Sequence, residues 1–143
     1  MSTKSKIVIT SGEPSGIGPD ICLSLPDRKD AELYVIADPE LISHRAELLS
    51  QAVLLNIHTD LDNLSDNYDA DRLNIIPLKL NTTSQPGLLD KSNSSYVLQM
   101  LDLATDLCLG NKVDAMVTGP VQTSIINEAG LGFTGHTEYL ADR

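Results

Sequence analysis

The sequence is poor in aromatic residues and in cysteine. Its 143 residues include no tryptophan, one phenylalanine, four tyrosines and two cysteines. A core with so few rings has to be built from leucine, isoleucine, valine and alanine, which favours α/β packing over an aromatic-rich β-sandwich. Cys22 and Cys108 form no C-x-x-C pair, so the sequence indicates neither a zinc site nor a redox motif. We expect two buried, free thiols in a reducing compartment.

Basic residues and long hydrophobic runs are also scarce. Ten lysines and arginines stand against twenty acidic residues, which gives a formal net charge of -10. Such a surface repels phosphate backbones and anionic lipids, so nucleic acid and membrane partners are not expected. The apolar run 7–9 is too short for a signal peptide, and no run is long enough to span a bilayer. We therefore predict a cytoplasmic protein.

Short β-branched runs alternate with helical segments along the chain. Strands are predicted at 7–10, 33–37, 53–57, 73–78 and 115–118. The first helix is predicted to begin at Pro19 and to be stopped by Pro26, and the second to begin at Pro39, behind the N-cap Asp38, and to run to about Leu49. A third is predicted from Ser94 or Ser95 to the C-terminal cap Gly110, and a fourth over 124–129. The fifth begins at about Thr137 and is predicted to be still in progress where the sequence stops. Residues 81–95 form the least structured connector. The alternation predicts an α/β fold, with a mostly parallel sheet and helices on both faces, in one incomplete unit over residues 1–143.

Two glycine-containing loops follow predicted strands, at the end of a parallel sheet where ligands collect. Residues 11–19 read Ser-Gly-Glu-Pro-Ser-Gly-Ile-Gly-Pro, which matches neither a P-loop nor G-x-G-x-x-G. They form either a tight strand-to-helix turn that needs glycine, or a cradle of backbone amides with Glu13 as a polar anchor. In the second loop, residues 118–121, Gly119 permits the close approach of a ligand or of another backbone segment, and Pro120 makes the exit rigid. Both interpretations stay open there.

A third loop, residues 133–138, places a histidine at the start of a helix. His136 can donate hydrogen bonds to an anion, and Thr137 can add its hydroxyl and its amide at the positive end of the helix. We favour this interpretation over a histidine that only caps a surface turn. His44 and His58 are interpreted as surface or packing residues. The acidic cluster (Asp60, Asp62, Asp66, Asp69 and Asp71) lacks the ligand spacing of an EF-hand and is predicted to be a solvated loop.

Taken together, these loops resemble one enzyme family. Residues 9–20 look like its N-terminal signature, and Val-Thr-Gly-Pro-Val at 117–121 with Phe-Thr-Gly-His-Thr-Glu at 133–138 looks like its second. The family is 4-hydroxythreonine-4-phosphate dehydrogenase, and the resemblance covers essentially the whole chain. It implies a fold similar to isocitrate and isopropylmalate dehydrogenases, in homodimers more than twice this length, whose active site lies between two domains. Residues 1–143 would then be the N-terminal part.

The resemblance also implies a reaction and its site. The family oxidises 4-(phosphooxy)-L-threonine with NAD or NADP, and the product decarboxylates on the route to pyridoxine 5'-phosphate. His136 and Thr137 match its substrate-binding pair, whereas no catalytic residue is assigned in this chain. A divalent metal ion (zinc, magnesium or cobalt) stabilises the developing alkoxide and is held by three histidines beyond this chain. Most residues that bind the nicotinamide cofactor also lie beyond it, so the chain alone is expected to be inactive and to expose apolar surface.

One position departs from the family pattern. Thr123 stands where the family usually has lysine, and a missing cation near an anionic substrate puts the exact substrate in doubt. Two alternatives stay open. One is a related dehydrogenase of 4-phosphothreonate or erythronate 4-phosphate. The other is a non-catalytic piece that at most binds a phosphorylated metabolite.

Overall fold

A five-stranded, entirely parallel sheet forms the centre of the molecule. The computed structural model describes residues 4–133 and 135–142. Its strands are β1 (Lys6–Thr10), β2 (Glu32–Ala37), β3 (Leu55–Ile57), β4 (Leu73–Pro77) and β5 (Ala115–Thr118). They are ordered β3-β4-β2-β1-β5, and every neighbouring pair is parallel. The predicted parallel α/β sheet is thus confirmed, with β3 beginning two residues later than expected.

Within these described ranges, five α-helices connect and follow the strands. They are α1 (Gly18–Cys22), α2 (Pro39–Leu48), α3 (Ser94–Leu109), α4 (Thr123–Glu128) and α5 (His136–Ala141). The predicted N-cap is confirmed, since Asp38 Oδ1 accepts a hydrogen bond from the Glu40 amide at 2.9 Å. Gly110 caps α3 as expected. The last helix, α5, is assigned as far as Ala141, and the Asp142 amide still donates to the Glu138 carbonyl in the helical pattern. That this helix continues past residue 143 stays a prediction.

The side chains of β2 alternate between two hydrophobic layers. Tyr34 and Ile36 pack in the same cluster as the buried apolar residues of α3. Val35 and Ala37 point the other way, into a cluster with residues of α1 and α2. Because successive side chains of a strand point to opposite faces, helices must cover both sides of the sheet. The prediction of helices on both faces is confirmed.

The cysteines and two of the histidines have structural surroundings. Both thiols are free, and burial raises the pKa of Cys22 to about 12. The prediction that both are buried is wrong for Cys108, which lies in the last turn of α3 and is only partly covered. His58 is buried edge-on against Tyr34, with ring centroids 5.2 Å apart, and His44 is exposed on α2. These histidines are packing and surface residues, as predicted.

The acidic segment lies on the surface, as predicted. Four of the five clustered aspartates are exposed, and Asp62 and Asp71 pair with Lys112 and Lys29. The segment is therefore a solvated loop held by surface ion pairs. Among the described helices, none is long and apolar enough to cross a membrane.

Candidate functional site

The strand order creates a crevice between β1 and β5. After β1 the chain turns to α1, which packs with α2, whereas after β5 it leads to α4, which packs with α3 on the opposite face. When the loops after two neighbouring strands lead to opposite faces of the sheet, they separate and leave a crevice between them. In open α/β sheets, ligands bind in such a crevice. In the structure the first loop is shortened to 11–17 by the start of α1, and the second spans 119–122 between β5 and α4. These two loops occupy the position in this fold that most favours a ligand.

These two loops are joined through their backbones. The Gly119 amide donates to the Thr10 carbonyl at 2.7 Å, and the Glu13 amide donates to the Pro120 carbonyl at 2.8 Å. Gly12 has a φ of +80°, and a Cβ at this position would overlap the Pro120 carbonyl oxygen. Only glycine satisfies both conditions without strain. The tight-turn interpretation of this glycine is therefore correct, and so is the expected close approach of another backbone segment at Gly119.

A buried arginine on α2 fixes the first loop from behind. The Arg45 side chain is 2% exposed and donates to the carbonyls of Pro14 at 2.6 Å and Gly16 at 2.9 Å. It also pairs with Asp20 Oδ1 at 2.9 Å. This role of Arg45 was not predicted from the sequence. The available signal was a basic residue on the face of α2 that carries the apolar residues Leu41, Ile42 and Ala46.

A second buried network ties the ends of β1, β2 and β4 together. The Ser11 hydroxyl donates to the Ile36 carbonyl at 3.0 Å. Tyr96 Oη on α3 accepts from the Asp38 amide at 2.9 Å, and Asp38 Oδ2 accepts from the Leu80 amide at 2.9 Å. Burial raises the pKa of Tyr96 to about 12, so the phenol stays neutral at physiological pH. These bonds hold the carboxyl edge of the sheet in one arrangement.

The third loop is attached to α3 and α4. Phe133 is buried in the core, and its amide donates to Asn127 Oδ1 at 2.7 Å. Tyr139 on α5 donates its hydroxyl to Asp102 Oδ1 on α3 at 2.5 Å. The structure thus joins the first two loops to each other, whereas the third is positioned by these helices. Thr134 lies outside the described residues.

The two predicted substrate-binding residues lie at the start of α5. His136 is half-buried, with its ring edge-on to Phe133 at a centroid distance of 6.0 Å. Its Nε2 atom is buried and makes no hydrogen bond within the described part of the chain. Burial lowers the pKa of His136 below its usual 6.5, which favours the neutral imidazole at pH 7. Thr137 is exposed beside it.

Comparison with known proteins assigns the chain to a family. The family model described as "Pyridoxal phosphate biosynthetic protein PdxA" matches residues 29–143. The chain belongs to the PdxA family. The match includes the second and third loops, while the first loop lies before it.

Relatives of this PdxA-family chain are longer than it is. It is 41% identical over 143 residues to 4-hydroxythreonine-4-phosphate dehydrogenase from Saccharophagus degradans, covering 99% of this chain and 42% of the relative. It is 43% identical over 140 residues to the enzyme of that name from Yersinia pseudotuberculosis, covering 97% of this chain and 42% of that one. The crystal structure of the Klebsiella pneumoniae enzyme of the same name superposes with a TM-score of 0.85 at 26% identity, covering 97% of this chain and 44% of that one. The chain therefore spans less than half the length of these relatives.

The described residues of this PdxA-family chain do not form a metal site. In residues 4–133 and 135–142, no three His, Cys, Asp or Glu side chains lie close enough to hold a metal ion. His58 Nε2 is already hydrogen-bonded to Asn74 Oδ1 at 2.8 Å. No step of a reaction is therefore assigned to a metal bound by these residues.

Proposed function

We propose that this chain forms the part of an NAD- or NADP-dependent dehydrogenase that holds a phosphorylated substrate. The reaction is oxidation of 4-(phosphooxy)-L-threonine to 2-amino-3-oxo-4-(phosphooxy)butanoate, which decarboxylates to 3-amino-2-oxopropyl phosphate for the synthesis of pyridoxine 5'-phosphate. The observation that carries the proposal is the match to relatives more than 40% identical that are named 4-hydroxythreonine-4-phosphate dehydrogenase. The proposal includes a cytoplasmic homodimer.

His136 and Thr137 are the residues proposed to bind the substrate. A buried nitrogen without a hydrogen bond is unfavourable by about 1–3 kcal/mol, and a ligand that supplies the bond relieves that penalty. His136 Nε2 is such an atom, and the exposed Thr137 hydroxyl lies on the next residue. A neutral imidazole either donates or accepts at Nε2 according to its tautomer. A phosphate nearby favours the protonated, doubly donating form, so binding is expected to take up a proton.

The remaining chemistry is proposed to come from outside this chain. When bound, a nicotinamide cofactor accepts the hydride, and a divalent metal ion stabilises the alkoxide charge that develops as the hydride leaves. Zinc, magnesium or cobalt would serve in that role. The described residues offer no cluster of ligands for such an ion, and the part proposed for this chain is to bind and orient the substrate.

A chimeric enzyme tests the proposal. This chain would replace the matching 42% of the Saccharophagus degradans relative, and formation of NADH or NADPH would be followed by absorbance. We expect turnover of 4-(phosphooxy)-L-threonine by the chimera and none by the isolated chain. His136→Ala in the chimera should weaken substrate binding and turnover while metal content stays unchanged. An inactive chimera with a native melting temperature, or loss of metal in the His136 variant, would contradict the proposal.

Thr123 provides a test of substrate identity. This residue begins α4, directly after the second loop, and it is half-buried. The chimera would be assayed in parallel with 4-phosphothreonate and erythronate 4-phosphate, and again with Thr123→Lys. Faster turnover of either acid than of the amino acid would replace the proposed substrate with that acid.

A further inference from the structure

The helix that carries His136 depends on contacts with the rest of the fold for its position. α5 has six residues, which is too few for a helix to be stable by itself in water. The loop before it adds little packing, because no described atom beyond the adjacent residues lies within 4 Å of where a Cβ would sit at Gly132 or Gly135. The side chains that join α5 to the core therefore determine where the imidazole lies.

Phe133 attaches α5 to the core. Its side chain is 1% exposed, and two rings of α5 pack against it. The His136 ring is edge-on to it at a centroid distance of 6.0 Å, and the Tyr139 ring is tilted at 5.6 Å. Residues three apart lie on the same face of a helix. One face of α5 thus places the imidazole and the phenol against the same core ring.

The tyrosine also reaches α3. Tyr139 Oη donates to Asp102 Oδ1 at 2.5 Å, and both side chains are half-buried. Asp102 is a firm attachment point, because α3 has 16 residues and its apolar side chains pack in the core. Ring contacts tolerate sliding, whereas a hydrogen bond is directional and fixes one atom against another. The bond to Asp102 therefore restricts the rotation of α5, which the packing on Phe133 leaves open.

The state of His136 depends on that restriction. Its Nε2 atom is buried without a hydrogen-bond partner among the described residues, and burial lowers the pKa of the imidazole below 6.5. Both properties exist only while α5 lies against the core. If the helix turned outward, the imidazole would regain water and its pKa would return toward the usual value. The attachment of α5 thus determines how the ring is presented.

We infer that Tyr139 and Asp102 are positioning residues, whose hydrogen bond fixes α5 on α3 and thereby holds the His136 imidazole in one orientation for the substrate. The inference rests on the proposed function, since that function makes His136 a substrate ligand. The orientation of the ring can nevertheless be measured without substrate. Neither Tyr139 nor Asp102 is assigned a contact with the substrate.

NMR titration of the histidine rings tests the positioning in the 143-residue chain. Tyr139→Phe removes the hydroxyl but keeps a ring against Phe133, and the pKa of His136 should rise toward 6.5 because the imidazole gains water. Asp102→Ala should give a higher pKa of His136 than Asp102→Asn. Both substitutions remove the charge, but asparagine keeps an acceptor for the phenol. The ring signals of the exposed His44 are the internal reference.

A matched control separates positioning from stability. Tyr68 is also a half-buried tyrosine, and its hydroxyl accepts a hydrogen bond from the Leu33 amide at 3.2 Å, away from α5. Tyr68→Phe should lower the urea midpoint, as Tyr139→Phe does, because each loses a hydrogen bond. Only Tyr139→Phe should change the pKa of His136.

The chimera described above supplies the functional measurement. The phosphate group does not react in the oxidation, so loss of a contact with it acts mainly on KM. We expect the KM for 4-(phosphooxy)-L-threonine to rise about tenfold in Tyr139→Phe and in Asp102→Ala, with a smaller decrease in kcat. Asp102→Asn should stay close to the native KM.

The two measurements distinguish failure of this inference from failure of the proposed function. If His136→Ala leaves the KM of the chimera unchanged, the proposed substrate contact is wrong, and the histidine titration alone decides the positioning. The inference would be overturned by an unchanged pKa of His136 in Tyr139→Phe, by equal values in the two Asp102 variants, or by an equal shift in Tyr68→Phe. A native KM in Tyr139→Phe, where His136→Ala raises it, would also overturn it. If Asp102→Ala does not fold, Tyr139→Phe decides.

Discussion

Replacing Arg45 by methionine should destabilise the fold and loosen the first loop. The guanidinium is buried and supplies hydrogen bonds to the carbonyls of Pro14 and Gly16 and an ion pair to Asp20. Methionine fills much of the same space with an unbranched apolar chain, so the substitution removes donors and charge without leaving a large cavity. Two inward-facing carbonyls then lose their partners.

The size of the effect follows from these contacts. A hydrogen bond from a charged donor contributes about 1.5–3 kcal/mol, so the two carbonyl contacts together account for about 3–6 kcal/mol. The ion pair adds at most about 1 kcal/mol, because the Asp20 carboxylate is one-third exposed and solvent screens it. The substitution also removes the cost of burying the guanidinium, whose Nε atom has no hydrogen-bond partner. This offsets part of the loss, by about 1–3 kcal/mol. We therefore expect the free energy of unfolding to fall by about 3 kcal/mol.

Urea unfolding followed by circular dichroism measures this change. The matched control is Arg72→Met, which breaks a surface pair with Asp69 and should lower the free energy of unfolding by at most about 0.5 kcal/mol. Arg45→Lys keeps the charge but lacks the planar fork, and it should fall between the two. If Arg45→Met were no less stable than the Arg72 variant, the role assigned to the buried guanidinium would be refuted.

Three further perturbations are predicted in the same way. Gly12→Ala should lower the free energy of unfolding by about 3 kcal/mol, since a side chain there combines a positive φ with overlap of another backbone segment. The control is Gly130→Ala, at a φ of +81° with open space around it, which should lower the free energy of unfolding by only about 1 kcal/mol. Equal losses in the two variants would argue against the overlap. Tyr96→Phe removes the acceptor of the buried Asp38 amide and should lower the free energy of unfolding by about 1–3 kcal/mol; an unchanged urea midpoint would contradict this role. Because burial lowers the pKa of His136, the unfolded chain binds more protons than the folded one. The stability from this residue is therefore complete above pH 6.5 and declines below it. Urea midpoints measured from about pH 7 to about pH 5 should fall less steeply in His136→Gln than in the native chain, and parallel curves would contradict the shift.

The elements predicted well are those specified by neighbouring residues. Asp38 followed by Pro39 specifies the start of α2, because a cap and a first-turn proline act within a few residues. Alternating β-branched runs likewise locate β1 and β2. The overlap that makes Gly12 obligatory is different, since it depends on the Pro120 carbonyl more than 100 residues later. No local pattern carries that information.

The site was only partly predictable for the same reason. Position after a strand identified the first two loops, the glycines of the first indicated a tight turn, and Gly119 indicated a close approach. Arg45 contacts the first loop across about 30 residues, and the connector at Gly87 joins it across 72. His136 was singled out by its setting in the sequence, but its packing against Phe133 and the missing partner of Nε2 are tertiary facts. The role proposed for His136 in substrate binding stays a prediction.

One of the two edge strands of the described sheet, β5, has a consequence for handling the isolated chain. Among the described residues it is hydrogen-bonded only to β1, on one side. Val117 on β5 is 53% exposed, and the exposed Ile21 of α1 lines the same shallow apolar pocket as Val117. A terminal strand with an uncovered hydrophobic face is a template for another copy of itself. Concentrated preparations should therefore self-associate through this strand, and a charged side chain at Val117 would be the simplest way to keep the molecules apart.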